Sequence, residues 1–225
     1  MTKASLYKCF AILSLLFCIQ VHPTETCFFI PPKGWEIADP KKLSPSVHIC
    51  FIDKKAKGVP PSVNLATEAT SVSLDAYVEA VRKIHAADPN AKWRDLGSFR
   101  APLGTGRLTE LELSTEFGKA RLVQLIIMKN QRAYILTASA LKTEFSKYYK
   151  TFDQVLHSLQ STTDLVKSYP KERLLLLEEA ISSLTKDLDW KDFEKKIIND
   201  FTEMGPYWQI LVLNEMHSKL LTTSE

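Results

Sequence analysis

Two successive apolar stretches, Leu122–Met128 and Tyr134–Ala140, constrain the fold of this chain more than any other feature of it. Each has the length of a strand and is apolar at odd and even positions alike, so each needs cover on both faces of a sheet. Lys129-Asn130-Gln131-Arg132 separates them, a spacing that fits a tight hairpin. Upstream, Thr105 to Thr115 pairs with the first stretch through the turn Glu116-Phe117-Gly118-Lys119. There Leu111 and Leu113 alternate with Glu110 and Glu112, the pattern of a half-exposed strand. The segment is an antiparallel meander with its apolar members in the centre.

The cover must come from helices, and two candidates flank the meander. Ser73 is an N-cap, Asp75 sits in the first turn, and Leu74, Tyr77, Val78, Val81 and Ile84 recur at helical spacing. Phe145, Tyr148, Phe152, Val155, Leu156 and Leu159 mark a second amphipathic helix over Thr143 to Leu159. Before the first helix, Trp35-Glu36-Ile37, Val47 to Ile52 and Ser62 to Thr70 read as three more strands, the last with Val63, Leu65 and Thr67 on one face. The expected fold is therefore α+β: an α/β/α sandwich with a central antiparallel sheet.

Beyond Ser161-Thr162-Thr163-Asp164 the pattern becomes helical only, giving an all-helical C-terminal extension. Leu174, Leu177, Ile181, Leu184 and Leu188 form a short heptad seam, and Trp190, Phe193, Ile197 and Phe201 continue on a second helix. Gly205-Pro206 breaks that helix before a third begins at Tyr207, Ile210 and Leu211. Two readings stand for this tail: its apolar faces pack on one another or on the sheet, or they form a partner-binding appendage.

The N-terminus places Lys3 and Lys8 before an apolar run from Cys9 to Val21, followed by His22-Pro23-Thr24-Glu25-Thr26. This is the layout of a secretory signal peptide, residues 1–26, with cleavage between Gln20 and Cys27. About thirteen apolar residues fall short of the roughly 20 that span a bilayer, and no later segment approaches that length. The expected location is outside the cytoplasm, periplasmic or secreted, with no transmembrane segment in the mature chain. There Cys27 and Cys50 are a possible disulfide, against the alternative of two separate buried thiols.

No catalytic, cofactor-binding or metal-binding motif stands out. The five histidines are far apart and neither an HExxH nor a CxxC pattern occurs. His48 and Cys50 fall two apart on one strand, which assigns them to the same face, yet no third partner is visible for nucleophilic chemistry. Gly104-Thr105-Gly106 lacks a third glycine and leads into a strand, so no dinucleotide loop is expected. A net charge of +3 from 29 basic and 26 acidic residues is too small and dispersed for nucleic acid. Lys41, Lys42, Lys54, Lys55 and Lys57 lie in successive loops that a hairpin could gather into a basic rim for an acidic protein partner or an anionic lipid surface. Solvated loops that keep the chain soluble are the plainer alternative.

Phe29-Ile30-Pro31-Pro32-Lys33-Gly34-Trp35, Pro61-Ser62-Val63-Asn64-Leu65, Leu74-Asp75-Ala76-Tyr77-Val78 and Phe145 to Leu159 occur in an order that resembles the Mog1/PsbP-like superfamily, including its bacterial DUF1795 or DcrB-like branch. The resemblance covers about residues 28–160. It implies a division into a Mog1/PsbP-like domain at 27–163 and the helical extension at 164–225, and a non-enzymatic binding or assembly role. The leading expectation is a cell-envelope adaptor that binds another extracytoplasmic protein without a cofactor. The alternatives are a small-ligand carrier or hydrolase using a cleft between sheet and tail, with His48 or His85 as its suggestive groups, and an anionic lipid-surface protein.

Overall fold

The structure is a computed structural model, and it describes residues 25–39, 41, 43–56, 58–168, 171–184 and 189–223. The signal-peptide reading over residues 1–24 and the lysines at 42 and 57 lie outside the described residues. The strands are β1 (Thr26–Phe28), β2 (Glu36–Ile37), β3 (Val47–Ile52), β4 (Ser62–Ala69), β5 (Lys92–Ala101), β6 (Gly104–Thr115), β7 (Gly118–Lys129), β8 (Arg132–Leu141) and β9 (Gln160–Thr162). The helices are α1 (Leu74–Ala86), α2 (Phe145–His157), α3 (Lys171–Leu184), α4 (Trp190–Asp200) and α5 (Gly205–Thr223).

Seven strands make one antiparallel sheet in the order β2-β3-β4-β8-β7-β6-β5. The chain crosses from β4 through α1 to the far edge at β5, then returns by hairpins until β8 closes against β4. The two strands that are apolar on both faces are thus β7 and β8, in the interior of the sheet. Asn130 and Gln131 turn between them at φ 49° and 57°, the left-handed pair that a two-residue type I′ turn requires. Gly106 on β6 is needed for space: a Cβ there would lie 2.2 Å from the carbonyl oxygen of Ile126 on β7.

Each face carries the expected cover. On one face Val78 of α1 packs on Ile126, Ala133 and Ile135, with Leu74, Tyr77 and Trp93 around them. The Ser73 hydroxyl accepts the Ala76 amide at 3.2 Å, which fixes the start of α1 as its sequence suggests. Ile84, assigned to the buried stripe, is 69% exposed, so the apolar contact of α1 is confined to its first half. On the other face α2 buries Phe145, Tyr148, Phe152, Val155 and Leu156 against β7, β8 and Trp35.

The tail joins this second face. Leu177, Phe193, Ile197, Tyr207, Leu211 and Val212 belong to the same buried cluster as Phe28, Phe29, Phe51 and Leu65. The side chain of Leu174 and all of Leu188 lie outside the described residues, but Leu177, Ile181 and Leu184 of the predicted seam do face the cluster. Gln209, buried on α5, donates from Nε2 to the carbonyls of Ile197, Ile198 and Phe201 at 3.0–3.1 Å, satisfying the C-terminal end of α4. Three strands went unrecognised in the sequence: β5 at the edge of the sheet, and the short β1 and β9. β1 and β9 pair only with each other, and they lock the first described residues to the chain just after α2.

Candidate functional site

Residues from five places in the sequence converge where α5 crosses the ends of β3, β4 and β8. Together they line a cleft of about 370 Å³. Ile49, Leu65, Ile210 and Leu211 form apolar walls, and the polar margin is made by Glu25, Thr26, His48, Thr67, Asn130, Arg132 and Asn214.

The N-terminal side is held by charge-assisted bonds. Lys129 Nζ lies 2.7 Å from Glu25 and donates to Ser161 Oγ at 3.0 Å, and Ser161 in turn donates to Glu25 at 3.0 Å. The hydrogen bond from Lys129 keeps the Glu25 carboxyl below its ordinary value. Next along the chain, Thr26 Oγ1 donates to Glu215 Oε2 at 2.9 Å, and the Leu165 amide donates to the same oxygen at 3.3 Å. Glu215 is only 4% exposed, so these bonds stand in for the water it has lost.

His48 owes its place to a β-bulge. The register between β3 and β4 shifts between Val47 and Ile49, so His48 leaves the simple alternation of the strand and bonds through Nε2 to Thr67 Oγ1. Burial, and then the positive charge of Arg132, push its pKa down, which leaves a neutral imidazole at neutral pH. The shared face expected for His48 and Cys50 is therefore not found. Cys50 lies between the core-facing Ile49 and Phe51 and so points to the other side of the sheet, whereas Cys27 lines the cleft. Both cysteines are free thiols, so the Cys27–Cys50 disulfide is absent, separated by the thickness of the sheet. Burial pushes the Cys27 thiol up to about 12, which makes it a poor nucleophile.

The remaining sequence candidates do not meet at this cleft. His85 is in the last turn of α1, on the opposite face. Lys41, Lys54 and Lys55 are exposed, but the loop before β3 and the loop after it leave opposite ends of that strand, so they do not form a single basic rim. Successive loops of an antiparallel meander alternate ends, which the sequence reading overlooked. Lys54 is also paired with Glu36. Among the described residues no three His, Cys, Asp or Glu side chains are grouped to hold a metal ion, and no helix is long and apolar enough to cross a membrane. Arg132, Asn130 and Asn214 were missed by sequence reading, because a lone arginine beside a hairpin turn and an asparagine on a distant helix carry no local signal.

No protein-family profile matches the chain, and no curated protein matches it in sequence. Solved structures that are similar include LpqN, involved in cell envelope biogenesis of Mycobacterium tuberculosis, at 11% identity and a TM-score of 0.49, covering 62% of this chain and 84% of that one. The cyanobacterial PsbP protein CyanoP of Synechocystis sp. PCC 6803 is similar at 14% identity and a TM-score of 0.44, covering 64% of this chain and 97% of its own. A Pseudomonas aeruginosa protein of unknown function, PA94, is similar at 12% identity and a TM-score of 0.41, covering 58% and 94% respectively.

Proposed function

We propose that the protein is a non-catalytic binding protein that works outside the cytoplasm and holds a small polar ligand in the cleft between the sheet and α5. The apolar run Cys9–Val21 supports the location, and the order of motifs supports a Mog1/PsbP-like domain over 27–163 with 164–225 added to it. The observation that carries the ligand reading is the composition of the cleft: aliphatic walls from Ile49, Leu65, Ile210 and Leu211, opposed by Arg132, Asn130 and Asn214 at its margin. Arg132 has no carboxylate within 4.0 Å among the described residues, so its guanidinium is available to a ligand's anionic or carbonyl oxygens. A neutral His48 and a protonated Cys27 favour binding over group transfer.

A thermal-shift screen with small carboxylates, amino acids and sugars tests this reading. A compound that raises Tm for the wild-type protein, and not for Asn214→Trp, places its site in the cleft. Equal stabilisation of both proteins, or no stabilising compound, would overturn it.

A second reading, an adaptor that binds another extracytoplasmic protein, is favoured by Leu175, Leu176 and Ile198, which face outward from α3 and α4 at 71%, 47% and 46% exposure. Crosslinked co-purification from the native envelope should then recover a partner with the wild-type chain and lose it with Leu175→Glu. Identical recovery with both chains would sink this reading.

A further inference from the structure

A second concavity lies on the same sheet face as the cleft but on the other flank of α2, between that helix and β5, β6 and β7. Its volume is about 450 Å³. Phe145, Phe152, Leu156 and Val123 form a buried floor, with Phe99 and Leu108 half-buried beside them, and Leu96 and Tyr149 stand open at the mouth. So much apolar surface left open at a groove's mouth, while its floor is well packed, is what a site for an apolar body looks like.

One end of the groove is charged, and the charges there do not balance. Glu110 and Glu112 project from β6 onto this face, where Glu110 is 7% exposed. Arg94 bonds Glu110, Arg121 Nη2 lies 2.6 Å from Glu112, and Lys142 Nζ lies 2.8 Å from the other oxygen of Glu112. Three cations thus share two carboxylates, and the two that line the groove, Arg121 and Lys142, stand beside the Phe145 ring at one end. Asp153, the other acid lining the groove, is two helical turns further along α2, about 12 Å away, where it faces His157 at 3.4 Å. The groove is therefore polarised along its length, with its positive end at the start of α2.

We infer that this groove binds a small amphiphile with an apolar body and a single anionic head, the body lying along Phe99, Phe145 and Phe152 and the head on Lys142 and Arg121. The site is separate from the cleft under α5 and does not rest on the function proposed for that cleft. A carboxylate head fits because Lys142 retains donors after bonding Glu112, and a charge-assisted bond on a partly buried surface is stronger than a neutral one. A cationic head would meet the same surplus charge with the wrong sign.

Isothermal titration of the purified protein with decanoate, 1-decanol and decyltrimethylammonium, each kept below its aggregation limit, tests the inference. Decanoate should bind saturably, 1-decanol more weakly, and decyltrimethylammonium weakest. Lys142→Gln should weaken decanoate by about tenfold and leave 1-decanol unchanged. Ser146→Trp, at an exposed position that lines the groove, should abolish both while circular dichroism shows an unchanged fold. Absence of saturable decanoate binding, equal binding of the cationic probe, or no effect of Lys142→Gln would overturn the inference. So would binding to anionic vesicles with no binding of monomeric decanoate, since that would make the protein a lipid-surface binder. The Lys142→Gln comparison decides even if Ser146→Trp does not fold.

Discussion

Tyr207→Phe separates a tail that is part of the core from a tail that merely rests on it. The Tyr207 hydroxyl accepts the buried backbone amide of Phe29 at 3.0 Å, and its ring packs on Phe51 and Phe29 with centroids at 5.2 and 5.7 Å. Replacing Tyr by Phe keeps those ring contacts and removes one oxygen. The Phe29 amide is then left without an acceptor in a place where Phe29 itself is 0% exposed. An unsatisfied buried donor costs about 1–3 kcal/mol, which in a chain of this length lowers Tm by about 2–4 °C for each kcal/mol. Tyr207→Ala removes the ring as well and should cost about 3–5 kcal/mol. Urea unfolding followed by circular dichroism gives the magnitude. Hydrogen exchange gives the location: if sheet and tail share one cooperative core, protection falls together in β8 and in α4. A loss confined to α4 and α5, with β8 protection unchanged, would refute the shared core.

Three further predictions follow from the same geometry. Lys142 and Arg121 hold the Glu112 carboxyl down at about 2, so the stability it contributes is present above its unfolded value near 4.5 and is lost as pH falls toward 2; Glu112→Gln should flatten that part of a Tm-against-pH curve, and an unchanged curve would contradict the assignment. Gln131→Gly should stabilise the protein by about 1 kcal/mol in urea titration, because glycine adopts the positive φ of the β7–β8 turn without the Cβ penalty that glutamine bears; destabilisation would show that the Gln131 side chain has a compensating role. Gly106→Ala should prevent folding or cost several times as much, with loss of soluble protein as the readout, since its Cβ would meet the rigid backbone of β7; a stable variant would mean that β6 and β7 can separate locally.

The layers of this fold are legible in the sequence because they rest on short-range periodicity. Apolar residues on both faces of Leu122–Met128 and Tyr134–Ala140 demand interior strands and two helical layers, whatever the rest of the chain does. The stripe Phe145, Tyr148, Phe152 and Leu156 repeats within about three turns of its own helix. Gly205-Pro206 starts α5 as its sequence suggests, but α4 has already ended at Asp200, and what Gly205 closes is the short 3-10 turn Thr202–Met204 between the two helices. Glu110 and Glu112 show where that logic ends. Their alternation with leucines predicted a half-exposed strand, and instead both carboxylates are largely buried on the sheet face that carries α2, where Arg94, Arg121 and Lys142 pair with them from three other segments.

Only the tertiary structure decided which side chains meet. Thr26 and Glu215 bond across 189 residues of sequence, a contact that no pattern of local spacing encodes because it depends on the path of every element between them. The bulge at His48 belongs to the same class: one extra residue, fixed by pairing with β4, turns the ring toward the cleft and leaves Cys50 on the far side of the sheet from Cys27. The sequence by itself determined the central strands, the two helices that cover them, the helical character of the tail and the order of these elements, since these follow from backbone sterics and hydrophobic period. The packing of the tail, the walls of the cleft and the polarity of the groove beside α2 were settled by long-range contacts, whose energies appear only once distant segments are brought together.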